Sequence, residues 1–197
     1  MRRLTWLIPL FAAVGCGEMV STAATQTTDD ATMVREVSAQ LRLQRFTIVA
    51  LGLDEISVPP DVFGTQTDVV GKYAFVVAKD AQGNVQGAYR FSESVDGVTT
   101  HYAGPLTCVD VYDFNGLTGN RAKIGGRVDS SDDPSIPVGT FIWWQAIDNS
   151  RLHRSDQSTL TGFGDEAANE AFCASANPPR FGPFDVIRGA ITVLDGD

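Results

Sequence analysis

The chain has 197 residues, of which 43% are hydrophobic, 9% aromatic and 20% charged. That apolar share excludes wholesale disorder, and the length suits one core-forming domain with extensions. Lysine and arginine number 15 against 24 aspartates and glutamates, for a net charge of −9, and the only lysines are Lys72, Lys79 and Lys123. Such a chain lacks the clustered cations that a dedicated nucleic-acid binder needs.

The N-terminus reads MRRLTWLIPLFAAVGC, a basic start at Arg2 and Arg3 followed by a largely apolar stretch of eleven residues from Leu4 to Val14. As a helix that stretch spans about 16 Å, too short for a hydrocarbon core of roughly 30 Å, so it reads as a secretory signal over residues 1–15. Ala13-Val14-Gly15-Cys16 resembles the bacterial lipobox, in which the signal is cut before a cysteine that carries diacylglycerol. The alternative is ordinary cleavage after Gly15 or Ala24 and a soluble secreted protein. Loss of the two signal arginines takes the net charge from −9 to −11. A protein face that acidic is repelled by anionic headgroups, so contact with the membrane would run through lipid on Cys16.

Gly17 to Asp29 is small, polar and threonine-rich, the composition of a flexible tether. Met33, Val34, Val37 and Leu41 then share one helical stripe behind Asp29 and Asp30, which predicts a short helix from about Asp30 to Leu41. Phe46 to Leu51 predicts a strand. Pro59-Pro60 and Gly64 to Thr67 form a break, so that residues 16–67 read as tether and N-terminal segment and 68–197 as the main domain.

From Asp68 the period becomes two. Tyr73, Phe75 and Val77 alternate with residues that are also largely apolar, and after the Ala81–Asn84 turn Val85, Gly87, Tyr89 and Phe91 return. Asp96-Gly97 suits a type I′ hairpin turn. Val98 to Tyr102 and Leu106 to Tyr112 form one strand or a strand broken at Gly104-Pro105. After a turn at Gly116 to Asn120 comes Ala122 to Val128, where Gly125-Gly126 suggests a bulge or sharp coil. Thr140 to Ile147 and Val186 to Leu194 complete the pattern. The fold class that follows is all-β: an antiparallel barrel or sandwich of about six to eight strands, preceded by a short N-terminal helix or extended segment.

Several of these runs carry a resemblance. Phe75–Gly87 (FVVAKDAQGNVQG), Leu106-Thr107-Cys108, Gly119–Gly126 (GNRAKIGG), Asp148-Asn149 and Arg188–Val193 (RGAITV) resemble a set of uncharacterised exported bacterial β-domains. Their strands carry D-x-x-G-N-V-x-G, C-x-x-V-x-G-N-x-A-x-I-x-G, V-x-D-N-G and G-x-I-x-V patterns. The likeness covers about residues 70–194, with Ser150 standing where the pattern has glycine. It implies the β-fold and export, and no activity.

Chemistry is sparsely marked. In an exported chain Cys108 and Cys173, 65 residues apart, are expected to pair, which closes a loop worth about 4 kcal/mol. That leaves Cys16, the third cysteine, for lipidation. There is no C-x-x-C, no G-x-S-x-G and no metal-spaced His/Cys cluster, and no motif for a cofactor. The histidines are His101, placed on a strand, and His153, in a basic loop between Arg151 and Arg154. Asp129, Asp132 and Asp133 crowd three carboxylates into five residues, a calcium-compatible donor set without the spaced loop pattern. Trp143 and Trp144 face opposite ways on a strand. One belongs to the core; the other is covered by the late segment or forms, near Tyr102 or Tyr112, a stacking platform for a sugar or another apolar ligand, with His101 a further candidate contact.

The reading that follows is an exported bacterial cell-envelope lipoprotein. Its disulfide-bonded β-domain is a non-catalytic binding or structural module, with an unspecified protein or small-molecule partner. One alternative is a barrel isomerase or hydrolase with a lumen site lined by His101, Arg90 or Arg127. The other is a calcium-stabilised adhesin module.

Overall fold

The computed structural model describes residues 30–36, 46–112, 121–176, 178 and 182–195. Among these, the strands are β1 (Phe46–Val58), β2 (Val69–Asp80), β3 (Val85–Val95), β4 (Val98–Val111), β5 (Arg121–Arg127), β6 (Ser130–Ser131), β7 (Phe141–Ile147), β8 (Gln157–Ser158), β9 (Gly162–Gly164) and β10 (Phe184–Asp195). The α-helical segments are α1 at 30–36, α2 (Pro60–Phe63) and α3 (Glu166–Ala174). All strand pairs are antiparallel, in the order β1-β2-β3-β4-β5-β7-β8-β10, and β10 pairs again with β1. The sheet therefore closes on itself as a barrel; the two separate layers of a sandwich do not form. Cys16 and the turn at Gly116 to Asn120 lie outside the described residues, as does the second half of the helix expected to reach Leu41.

β1 belongs to this ring, although sequence patterning places the start of the main domain after the prolines. Ile48, Ala50, Ile56 and Val58 are all buried on one parity, and β1 pairs with β2 on one side and β10 on the other. Pro59 ends the strand and Pro60 opens α2, where a missing backbone N–H costs nothing. The two apolar faces of β2 also find their reason. Tyr73, Phe75 and Val77 point into the lumen, while Val76 and Ala78 pack outside against Met33 of α1, Phe46, Val49 and Leu51.

The hairpin signals hold. Asp80 accepts backbone N–H bonds from Gln82 and Asn84, both at 2.9 Å, so the D-x-x-G-N pattern is a turn held by its own carboxylate. Those bonds, with the Asn84 side chain foremost, hold the Asp80 carboxyl below the usual carboxylate range. Asp96 (φ 48°) and Gly97 (φ 82°) occupy the left-handed region that a type I′ turn requires.

Two strands change inward parity through bulges. β4 runs unbroken past Gly104-Pro105, pairing with β3 in its first half and β5 in its second, and slips register between Leu106 and Cys108. Inward residues before the slip are Tyr102 and Leu106, and after it Val109, which turns Cys108 outward. The bulge expected at Gly125-Gly126 is thus in the neighbouring strand; β5 pairs with β7 without interruption. The glycines serve close approach instead. A Cβ on Gly125 would lie 2.0 Å from Asn169 Oδ1 of α3 and 2.6 Å from Cys108 Sγ. In β10 the slip skips Ile187, which is exposed, and separates inward Val186 from inward Ile191 and Val193.

The barrel closes at its weakest seam with side chains. β8 has two residues, too few to pair the length of β10. Asp156 Oδ2 accepts the Ile191 N–H at 2.9 Å, its backbone carbonyl accepts the Val186 N–H at 2.8 Å, and Asp148 Oδ2 accepts the Val193 N–H at 3.2 Å. Two aspartates thus stand in for a missing strand partner.

Candidate functional site

The lumen is filled by aromatic rings. Phe91 packs against Tyr73 (4.5 Å between centroids), Trp144 (4.7 Å), Tyr89 (4.9 Å) and Tyr102 (5.7 Å), and Phe75 meets Trp144 at 5.5 Å. Trp144 is the lumen residue of the tryptophan pair. Trp143 faces outward beneath α3, stacked on Phe172 at 6.1 Å and crowded by Gly162 and Gly164. α3 is pinned there by the Cys108–Cys173 disulfide, with Cα atoms 6.3 Å apart, and by Asn169, which donates to Thr107 Oγ1 at 3.1 Å. Asp165 caps the helix by accepting the Ala168 N–H at 2.9 Å. Lys123, almost fully buried on the outer face of β5, donates to the Ser175 carbonyl at 2.7 Å and pairs with Asp110 at 3.1 Å.

The polar residues singled out from sequence lie on the outer surface and do not converge. His101 Nδ1 is 2.9 Å from Asp132 Oδ2, and Asp132 also accepts the His101 backbone N–H. These contacts, the backbone one largest, hold the Asp132 carboxyl below its ordinary range. Arg127 Nε donates to Asp129 at 2.9 Å, and Arg90 pairs with Asp30 at 3.5 Å. Asp133 Oδ1 accepts from the backbone and hydroxyl of Ser135 at 2.8 and 2.6 Å. Asp129, Asp132 and Asp133 therefore turn to three different partners. Among the described residues no group of three His, Cys, Asp or Glu side chains is placed to hold a metal ion. His153 caps the 3₁₀ turn Ser150–Leu152 and lies exposed beside Arg154.

A different constellation sits at one end of the barrel. A pocket of about 200 Å³ opens between β1, α2, β2, β3 and the segment around β9, walled by Ile56, Val58, Val69 and Leu160 and flanked by Phe63 and Phe163. Phe63 and Phe163 are 52% and 41% exposed, unusual for phenylalanine. Ile56, Gly71 and Glu93 are register partners across β1, β2 and β3, so they form one rung of the mouth. Glycine at 71 leaves the space into which the Tyr73 ring folds; a Cβ there would lie 2.7 Å from the Tyr73 hydroxyl.

Glu93 is the carboxylate of this pocket. Its Oε1 accepts the Tyr102 hydroxyl at 2.7 Å and the Thr161 hydroxyl at 3.5 Å. Burial pushes its carboxyl up, with those two hydrogen bonds opposing and Asp133 adding a smaller upward push. On the rung below, Asp54 faces Tyr73 across β1 and β2. Asp54 is 5% exposed and neither of its oxygens has a hydrogen-bond partner among the described residues. Burial drives its carboxyl well above the ordinary range, and Asp156 across the seam adds to this. The Tyr73 hydroxyl is raised too, by burial first and then by Glu93 and Asp54, so all three groups share one electrostatic neighbourhood.

Sequence reasoning passed over Asp54 and Glu93, yet their signal is plain in retrospect. Gly87, Tyr89, Phe91 and Glu93 fall on one parity of β3, and Ile48, Ala50, Gly52, Asp54, Ile56 and Val58 on one parity of β1. A carboxylate continuing an apolar parity is a buried carboxylate. Compared with protein-family models, with curated proteins and with solved structures, the chain matches none.

Proposed function

We propose that the chain is an exported bacterial cell-envelope protein, held to a membrane through acylated Cys16, whose disulfide-bonded barrel acts as a binding or structural module without catalysis. The observation that carries this reading is the packed lumen. Tyr73, Phe75, Tyr89, Phe91, Tyr102 and Trp144 occupy the space in which a barrel enzyme keeps its site. Arg90, His101 and Arg127, the polar groups such an enzyme would turn inward, are engaged on the outside. Export is supported by the basic and apolar N-terminus and by a crosslink of the kind that persists in oxidising compartments. The acidic surface favours anchoring by acyl chains, each buried CH₂ contributing about 0.8 kcal/mol.

The test is metabolic labelling with a radioactive fatty acid in a bacterial host, followed by membrane fractionation. The full chain takes up label and sediments with membranes, and Cys16→Ser loses both. Label that persists in Cys16→Ser, or a wild-type chain that is unlabelled and soluble, refutes the anchor.

A further inference from the structure

We propose that the pocket at the barrel mouth binds a small organic cation, an alkyl- or arylammonium group seated on Glu93 with its apolar body between Phe63 and Phe163. The inference rests on the binding-module reading above and gives that module its ligand class.

Charge complementarity selects the head group. Among the described residues lining the pocket there is no lysine, arginine or histidine. Glu93 Oε1 is occupied by Tyr102 and Thr161, and among the described residues Oε2 has no donor. One rung deeper lies Asp54, buried and without a donor on either oxygen, with Asp156 beyond it. Of these carboxyl groups Glu93 alone lines the pocket, and its Oε2 is the atom on which a cation or a hydrogen-bond donor would sit. An anion would meet like charge in a poorly screened site, and a neutral donor would gain less on the carboxylate than a cation does.

The walls select the body. Ile56, Val58, Val69 and Leu160 offer apolar contact, and Phe63, Tyr73 and Phe163 add three aromatic rings to the lining that also holds Glu93. An ammonium over such rings gains electrostatic attraction that an alcohol of the same shape does not. The volume, about 200 Å³, lies below the range of about 300–1,000 Å³ that suits drug-sized ligands, so the body is limited to a single ring or a short alkyl chain. Phe63 and Phe163 are both half-exposed, and an apolar body seated between them would take apolar ring surface out of water.

The experiment uses the full chain, purified from host membranes in a non-ionic detergent, titrated calorimetrically with benzylammonium chloride, benzyl alcohol and sodium benzoate. Benzylammonium binds saturably, at least tenfold more tightly than benzyl alcohol, and benzoate does not bind. Glu93→Gln abolishes the tenfold preference. Phe63→Ala, at a half-exposed helix position outside the core, weakens benzylammonium at least threefold while the melting temperature stays unchanged, so the test survives if Glu93→Gln does not fold. Equal affinity for the amine and the alcohol, a preference retained in Glu93→Gln, unchanged affinity in Phe63→Ala, or no saturable binding overturns the proposal. Acyl labelling of the same preparation separates the two readings: a flat isotherm on labelled protein counts against the pocket alone, and saturable binding by unlabelled protein counts against the anchor alone.

Discussion

Asp54 should make the barrel less stable as pH rises, and Asp54→Asn should remove that loss. The side chain is 5% exposed, neither oxygen is hydrogen-bonded among the described residues, and burial with Asp156 nearby raises its carboxyl well above the ordinary range. In the unfolded chain an aspartate titrates near pH ~3.9. Between that value and its raised folded one, the folded state keeps a proton that the unfolded state has released, so each pH unit removes about 1.4 kcal/mol of stability. The loss is complete once pH passes the folded value. Up to pH 7 it is capped at about 4 kcal/mol, the cost of holding a proton on a group that ionises near 3.9 when unfolded. A typical domain has only about 5–15 kcal/mol of stability in all, so a loss of that size is a large share of the whole. Urea denaturation of the oxidised protein followed by tryptophan emission, at steps from pH 4 to pH 8, gives both curves. At pH 4 the two proteins should agree within about 1 kcal/mol, because a neutral acid and an amide have the same shape. Above that, Asp54→Asn should gain on the wild type by about 1.4 kcal/mol per pH unit before levelling. Parallel curves, or a variant less stable by a constant amount at every pH, would refute the reasoning by showing that the ionised carboxylate is satisfied.

Three further outcomes follow from the same geometry. Replacing Cys108 and Cys173 by alanine should cost about 4 kcal/mol and red-shift tryptophan emission as α3 lifts from Trp143; a loss below about 1 kcal/mol in urea would mean that the staple adds little to packing. Gly189 has φ 94°, and a Cβ there would lie 1.7 Å from the Leu53 carbonyl oxygen, so Gly189→Ala should cost about 3 kcal/mol or more; thermal unfolding near the wild-type temperature would count against the bulge geometry. Asp156→Ala leaves the Asn149 and Ile191 N–H groups without their acceptor, at about 1–3 kcal/mol for each buried group. Hydrogen exchange should quicken at Ile191 first, and unaltered protection there would show that the seam closes without this side chain.

The barrel was legible in the sequence because inward parity in β2, β3 and β7 is carried by large side chains. Period two, the Asp96-Gly97 turn and the glycine-asparagine turn after Asp80 all point to antiparallel hairpins, and the cysteine count points to the staple. What stayed hidden are features that depend on which strand lies next to which. Parity in β4 and β10 reverses within the strand, at Thr107 and Ile187, and a reversal cannot be told from a loop until the partner strand is known. Gly125 looked like a bulge because the space it leaves is filled by Asn169, 44 residues later in the chain. His101 drew attention as one of only two histidines, but its neighbour Tyr102 holds the inward parity and so His101 meets solvent. Asp54 and Glu93 were obscured for the opposite reason: acidic residues are common in this chain, and only position on the inward face distinguishes these two.

The two raised carboxyls, buried Asp54 and half-buried Glu93, pull stability and binding in opposite directions with pH. Asp54 and Glu93 are both pushed up by burial, so both draw the folded state toward holding protons. A cation on Glu93 needs the ionised form, and its affinity should therefore rise as pH climbs through the raised carboxyl value, while the empty barrel loses stability over the same direction of change. A ligand that binds only the folded state adds stability that grows with its concentration over its dissociation constant. The protein with ligand should thus melt with a shallower pH dependence than the protein without it. Glu93→Gln should abolish that difference and Asp54→Asn should leave it in place, since only the first residue lines the pocket. Melting curves in saturating benzylammonium at two pH values decide it: a ligand-induced shift of the same size at both, in the wild type, would mean that the carboxyl at the mouth does not change charge on binding.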